Sequence, residues 1–236
     1  MNNYRNLEKL FADHLRTERR PIAISFRDAP PDGVPRFQGS VPSGCSFWRI
    51  AAEGRSFHTV PSDHYNCPIG SYTHNIPLPA ERAQELDQTL GLMVQIGYVR
   101  MEEVPGIPRL PKTPGAVVYS PLGETLLDPD VVLFAGRPGA VMLLQEAVQR
   151  AGVAAQWPLF GRPTCMALPF AVTNGAVATT GCIGNRIYTG LDEGELYLAV
   201  PGKDIARVAE ELKTISSANA QLHAYHVERK QKLTAV

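Results

Sequence analysis

The sequence predicts a single α+β domain over residues 1–236, a mixed layer fold with two pseudo-symmetric, cysteine-bearing halves. Helical and strand periodicities follow one another without the strict alternation that a doubly wound parallel sheet imposes. Two segments, "SDHYNCPIGSYTHN" (62–75) and "TTGCIGNRIYTG" (179–190), are built alike: each runs from a cysteine through Ile-Gly to Tyr-Thr. The 236 residues, 44% hydrophobic and 19% charged, can bury a substantial core.

Leu7, Leu10, Phe11 and Leu15 recur at helical spacing, and "PIAISFRD" (21–28) follows as a strand closed by the turn-rich "APPDGVP". Residues 43–54 read as a helix with Ser43 near its N-cap and Gly54 at its end, then "RSFHTV" as a strand stopped by Pro61. Residues 80–97 form a helix with Leu86, Leu90, Met93 and Val94 on one side. The four prolines of "EVPGIPRLPKTPG" (103–115) forbid its continuation, so this is a crossover loop open to proteases. "GAVVYS" and "DVVLFAG" are buried strands, and Pro138 opens a helix that runs to Gly152. A short helix around Pro169, the strand "AVATTG", the strand "GELYLAVPG" and a helix over 203–229 complete the chain. The half-repeat reads Cys45, helix, Gly54, strand, Cys67, and again Cys165, helix, Gly175, strand, Cys182.

Lysine plus arginine equals aspartate plus glutamate at 23 each, so no overall field attracts nucleic acid or an anionic membrane. No apolar run approaches the ~20 residues of a membrane helix, and the charged N-terminus lacks a signal-peptide core. The expected setting is the cytoplasm, where four cysteines are free thiols or metal ligands rather than disulfides.

Cys45 and Cys165 each open a helix, where unpaired backbone N–H groups favour a thiolate; Cys67 and Cys182 lie in glycine-bearing loops that let the backbone approach a ligand. Four such thiolates suit an iron-sulfur cluster or, as the alternative, a tetrahedral zinc, although no C-x-x-C pair is present. In that reading the ligands are Cys45, Cys67, Cys165 and Cys182, with Arg49, His64 and Arg186 tuning charge and hydrogen bonding around them, and the role is electron transfer or redox chemistry on a small molecule. At least three sulfurs should then converge within roughly 7 Å. A second reading is a metal-free enzyme with Cys67 as nucleophile and His64 or His74 as base, Asp63 orienting the base. A third is a small-ligand or partner-binding protein with structural thiols. Phe47 and Trp48 read as core, while His58 joins His64 and His74 around Cys67. The partner in each case is a small-molecule substrate or a redox protein, and oligomeric state stays open. Phosphate-loop, dinucleotide-fold, zincin and nucleophile-elbow signatures are all missing.

Taken together, "CSFWRIAAEG", "HYNCPIG", "GRPTCMALP" and "GCIGNRIYTGLDEGELYLAVPG" resemble the prokaryotic family known as domain of unknown function 169, from about Cys45 to Gly202. The resemblance implies one domain, in organisms among which anaerobic or metal-rich metabolism is well represented. It implies no catalytic residues.

Overall fold

The computed structural model describes residues 3–234. Helix α1 (Tyr4–Leu15) starts where the Asn3 side chain accepts the Asn6 N–H and buries Phe11 and Leu15. Next come β1 (Ile22–Arg27), α2 (Ser46–Ala52), β2 (Phe57–Thr59), α3 (Pro68–Thr73) and α4 (Ala80–Gln95). The chain continues through β3 (Ala116–Pro121), β4 (Val131–Gly136), α5 (Pro138–Arg150) and β5 (Ala155–Phe160). It ends with α6 (Ala167–Thr173), β6 (Ala176–Thr179), α7 (Ile183–Thr189), β7 (Leu196–Pro201) and α8 (Ile205–Thr234).

Among the described residues seven strands form one mixed sheet in the order β2-β3-β1-β4-β7-β6-β5, antiparallel except for the β5–β6 pair. Helices cover both faces, which is why β3 and β4 are buried throughout rather than alternating. On one face Ala23, Val132, Phe134, Leu198 and Val200 pack against α1, α5 and the first turns of α8. On the other, Ile24, Tyr119, Leu133, Tyr197 and Ala199 pack against Phe47, Trp48 and Ala51 of α2 and Ala167, Leu168 and Ala171 of α6. Phe47 and Trp48 are core residues, as their sequence context suggests.

The half-repeat is visible in the topology. Outward from the centre the sheet reads β1-β3-β2 on one side and β4-β7-β6 on the other, and the halves meet at the antiparallel β1–β4 pair. Each half places a helix before its outer strand (α2 before β2, α6 before β6) and a second short helix after it (α3, α7). The helix-to-strand corners use glycines of nearly equal backbone, Gly54 at φ +105° and Gly175 at φ +108°. The returning strands β3 and β7 both end in a proline followed by a 3-10 turn, 122–124 and 202–204.

Several elements differ from expectation. The two cysteine loops are in part the helices α3 and α7, because a proline at the first turn of α3 and an uninterrupted IGNRIYT in α7 permit one or two turns. Helix α4 buries none of its residues, so its expected apolar face is only half covered, chiefly by α3. Strand β5 forms although the "WP" pair in its sequence breaks a strand pattern. Segment 107–113, expected to be open, is tied down: Leu110 is buried with its N–H on Thr73 O, and Arg109 donates to Tyr72 O and Asn75 Oδ1.

Candidate functional site

The start of α2, the start of α3, the 3-10 turn Thr164–Met166 before α6 and the start of α7 carry Cys45, Cys67, Cys165 and Cys182, respectively. All four are free thiols. The pseudo-twofold relation of the halves brings them to one region. The Ser43 hydroxyl contacts Cys45 Sγ at 3.0 Å and Cys67 Sγ at 3.5 Å. Cys165 Sγ lies 3.9 Å from Ile69 O in α3 and beside Thr73, and the Cys182 N–H donates to Thr164 Oγ1 at 2.5 Å. Burial pushes the Cys45 thiol up to about 11 against the pull of Ser43, with Cys67 and Cys182 adding to the rise. Burial also holds the Cys165 thiol well above its usual range, and the neighbouring Cys67, Cys182 and Cys45 raise it further.

This convergence is not a metal centre. Among the described residues no group of three or more His, Cys, Asp or Glu side chains is disposed to hold a metal ion, which overturns the iron-sulfur reading and the zinc alternative together with the electron-transfer role built on them.

His64 is the residue from the sequence reading that the fold delivers to Cys67. Both belong to one turn, with the Cys67 N–H and the Ser71 hydroxyl donating to His64 O, each at 2.9 Å. The Thr59 hydroxyl has one proton and donates it to Val117 O at 3.2 Å; at 2.9 Å from His64 Nε2 it is therefore an acceptor. This assigns the His64 proton to Nε2 and leaves Nδ1 a bare lone pair, buried and without a partner. Burial, with His74 and Arg36 nearby, holds the imidazole well below its usual range, so it is neutral. A Cβ placed on Gly44 would stand 3.6 Å from His64 Nδ1 and 3.9 Å from Cys67 Sγ, so the missing side chain is what leaves these two atoms facing a common space. Gly70 serves the same thiol, since a Cβ there would come within 2.8 Å of Cys67 Sγ.

His74 follows the same logic. Its Nδ1–H donates to Gly70 O at 2.8 Å, which leaves Nε2 buried and unpaired, with its ring 5.5 Å from that of His64. The sequence offered no signal for two further groups. The Tyr119 hydroxyl, close to Cys67 and Cys45, is buried without a hydrogen-bond partner, and the Asn185 carboxamide is buried against the Cys45 thiol and the Tyr197 hydroxyl. Tyr119 reads as one more strand residue and Asn185 as loop polarity; only burial distinguishes them.

The remaining candidates are employed elsewhere. Arg186 donates to the carbonyls of Thr180, Asp192 and Glu195 and so clamps its own loop. Arg49 pairs with Glu53 at 3.5 Å. Asp63 pairs with Arg36 and accepts the Val60 N–H rather than orienting a base. The ring of His58 bonds Val34 O at 2.9 Å.

An antiparallel-dominated sheet with helices on both faces and a cluster of free thiols, buried imidazoles and unpaired buried polar groups defines a cysteine-centred α+β protein. The chain belongs to the DUF169 family, described as "Uncharacterised ArCR", whose model matches residues 10–211. It is similar to "Uncharacterized protein MJ0308" of Methanocaldococcus jannaschii, 29% identical over 182 residues that cover 72% of this chain and 75% of that protein. No solved structure matches. Among the described residues no helix is long and apolar enough to cross a membrane.

Proposed function

We propose that the protein acts on a small electrophilic molecule through the sulfur of Cys67, with His64 as the proton acceptor. The observation that carries this reading is the unpaired Nδ1 of a neutral imidazole facing the same space as the Cys67 thiol across Gly44. In the step envisaged, the sulfur adds to an electrophilic carbonyl carbon: the S–H proton passes to His64 Nδ1, the S–C bond forms and the C=O π pair moves onto the oxygen. Thr59 keeps the ring in the accepting tautomer throughout. Burial makes an isolated imidazolium unfavourable, so the proton is held there only while negative charge on the sulfur or on the adduct balances it. The Tyr119 hydroxyl is a buried O–H without a partner, able to donate to a polar group on the ligand. Cys67 and Cys182 are each partly exposed, which provides an approach for a small molecule. A reducing compartment such as the cytoplasm would keep the four thiols free.

Alkylation by iodoacetamide with peptide mapping tests the proposal. Cys67 should be labelled first, and His64→Gln should slow its labelling about tenfold or more near neutral pH. Preferential labelling of Cys182, or an unchanged Cys67 rate in folded His64→Gln protein, would refute the assignment.

A further inference from the structure

Two helices leave long faces uncovered. In α8 the buried residues Ile205, Val208, Ala209 and Leu212 all fall in the first turns, and from Ser217 to Leu233 every residue is exposed. At 1.5 Å per residue this is a projecting helix of roughly 24 Å. A helix of that length with no packed face is marginal in water. It also lies beyond residue 211, where the family match ends. Its pattern is nevertheless that of a packed helix: Ala218, Leu222, His226, Arg229 and Leu233 share one face, with Tyr225 beside them.

Helix α4 presents the complementary stripe. Glu81, Glu85, Gln88, Leu92 and, at its C-cap, Ile96 fall on one face, and all are exposed, Leu92 at 56% and Ile96 at 67%. The charges oppose: α4 carries Glu81, Glu85 and Asp87 against Arg82, whereas the projecting end of α8 carries Arg229, Lys230 and Lys232 against Glu228. The spacing matches as well. When the helices run antiparallel, Ile96 meets Ala218, Leu92 meets Leu222, Gln88 meets His226, Glu85 meets Arg229 and Glu81 meets Leu233. In this register the apolar Ile96 and Leu92 lie against Ala218 and Leu222, and Glu85 lies against Arg229, with Leu233 following beside Glu81 at the far end.

We infer that the occupant of each stripe is a second copy of this chain, in a twofold dimer in which the α8 projection of each copy lies antiparallel along α4 of the other. Exposure of both stripes shows that they do not cover one another within one chain. A twofold axis doubles the contact, and two helix pairs of this length approach the ~1,200 Å² at which stable association begins. The Glu85–Arg82 pair that must yield is exposed on both sides and holds little energy.

Light scattering on size-fractionated full-length protein at micromolar concentration should give twice the 25.8 kDa chain mass. Glu85→Arg and Arg229→Glu should each weaken dimerisation about tenfold or more, and the double exchange should restore it. Circular dichroism of each variant confirms that the fold is retained. A wild type that is monomeric under these conditions overturns the inference. So does a dimer that survives Glu85→Arg, which would mean the α8 projections pair with each other, and so does failure of the double exchange to rescue two dissociated single variants. Thiol reactivity plays no part in this readout, so its outcome is independent of the assignment of Cys67.

Discussion

His64 and His74 are neutral because they are buried, and each leaves one ring nitrogen without a partner. Both are held below their usual range in the folded chain, so between the folded and unfolded values the unfolded state binds the extra protons. Their contribution is therefore constant above about pH 6.5 and is lost as pH falls below it. Urea midpoints should drop on acidification, with a slope approaching about 1.4 kcal/mol per pH unit for each histidine, and His64→Gln should flatten the curve. A midpoint unchanged between neutral pH and pH 5 would mean the rings are hydrated. The two glycines beside Cys67 separate folding from chemistry. Gly70→Ala forces a Cβ to 2.8 Å from the sulfur, and thermal melts should show a loss of about 1–3 kcal/mol. Gly44→Ala meets only ordinary contacts at 3.6 Å and beyond, so it should fold normally while its methyl separates His64 from Cys67 and slows alkylation of that thiol.

At the scale of elements, the repeated corner invites a matched comparison. Gly54 and Gly175 share a left-handed backbone, but a Cβ at Gly54 would meet Arg20 Nη1 at 3.6 Å, whereas at Gly175 it would lie 2.0 Å from Ala154 O. Gly54→Ala should cost about 1–2 kcal/mol of backbone strain, and Gly175→Ala should prevent native packing of the β5–β6 edge. Differential scanning fluorimetry of the two variants reads the difference directly. Limited proteolysis of protein dilute enough to be monomeric should cut α4, which buries nothing within its own chain, before the tied segment 107–113. The proline content of 103–115 suggests the opposite order, because sequence reveals missing donors but not the Thr73, Tyr72 and Asn75 groups that hold the chain there. Strands β3, β4 and β7 and helix α5 were legible because a continuous apolar run and a proline at a helix start depend on local pattern. The partnerless state of His64 Nδ1 was not legible, since it depends on Thr59 and Val117 lying beyond the turn. The half-repeat places the cysteines at corresponding points of the two halves, but the upward push on the Cys45 and Cys165 thiols was not legible: helix starts suggested thiolates there, and burial outweighs that effect.

For the whole molecule, α8 is both a core element and a projection, and equal truncations should have unequal effects along it. Leu212→Ala removes a fully buried side chain from the layer shared with α1 and α5 and should cost about 2–4 kcal/mol in chemical denaturation. Leu222→Ala, at a residue 57% exposed, should leave the stability of a monomer within about 0.5 kcal/mol of wild type. The seam between the halves has its own consequence. Strand β1 pairs with β3 over six residues but with β4 over only three, Ile22 to Ile24, after which the Asp130 carboxylate takes over by accepting the Phe26 N–H and pairing with Arg27. Cys45 and Cys67 belong to the half of the chain that contributes β1, and Cys165 and Cys182 to the half that contributes β4. If the two halves breathe apart along this short ladder, all four sulfurs lose their mutual cover in one event. The slow labelling of the buried Cys45 and the hydrogen exchange of the Ile22–Ile24 amides should then share a single opening rate, making a thiol reagent a clock for the motion of the backbone.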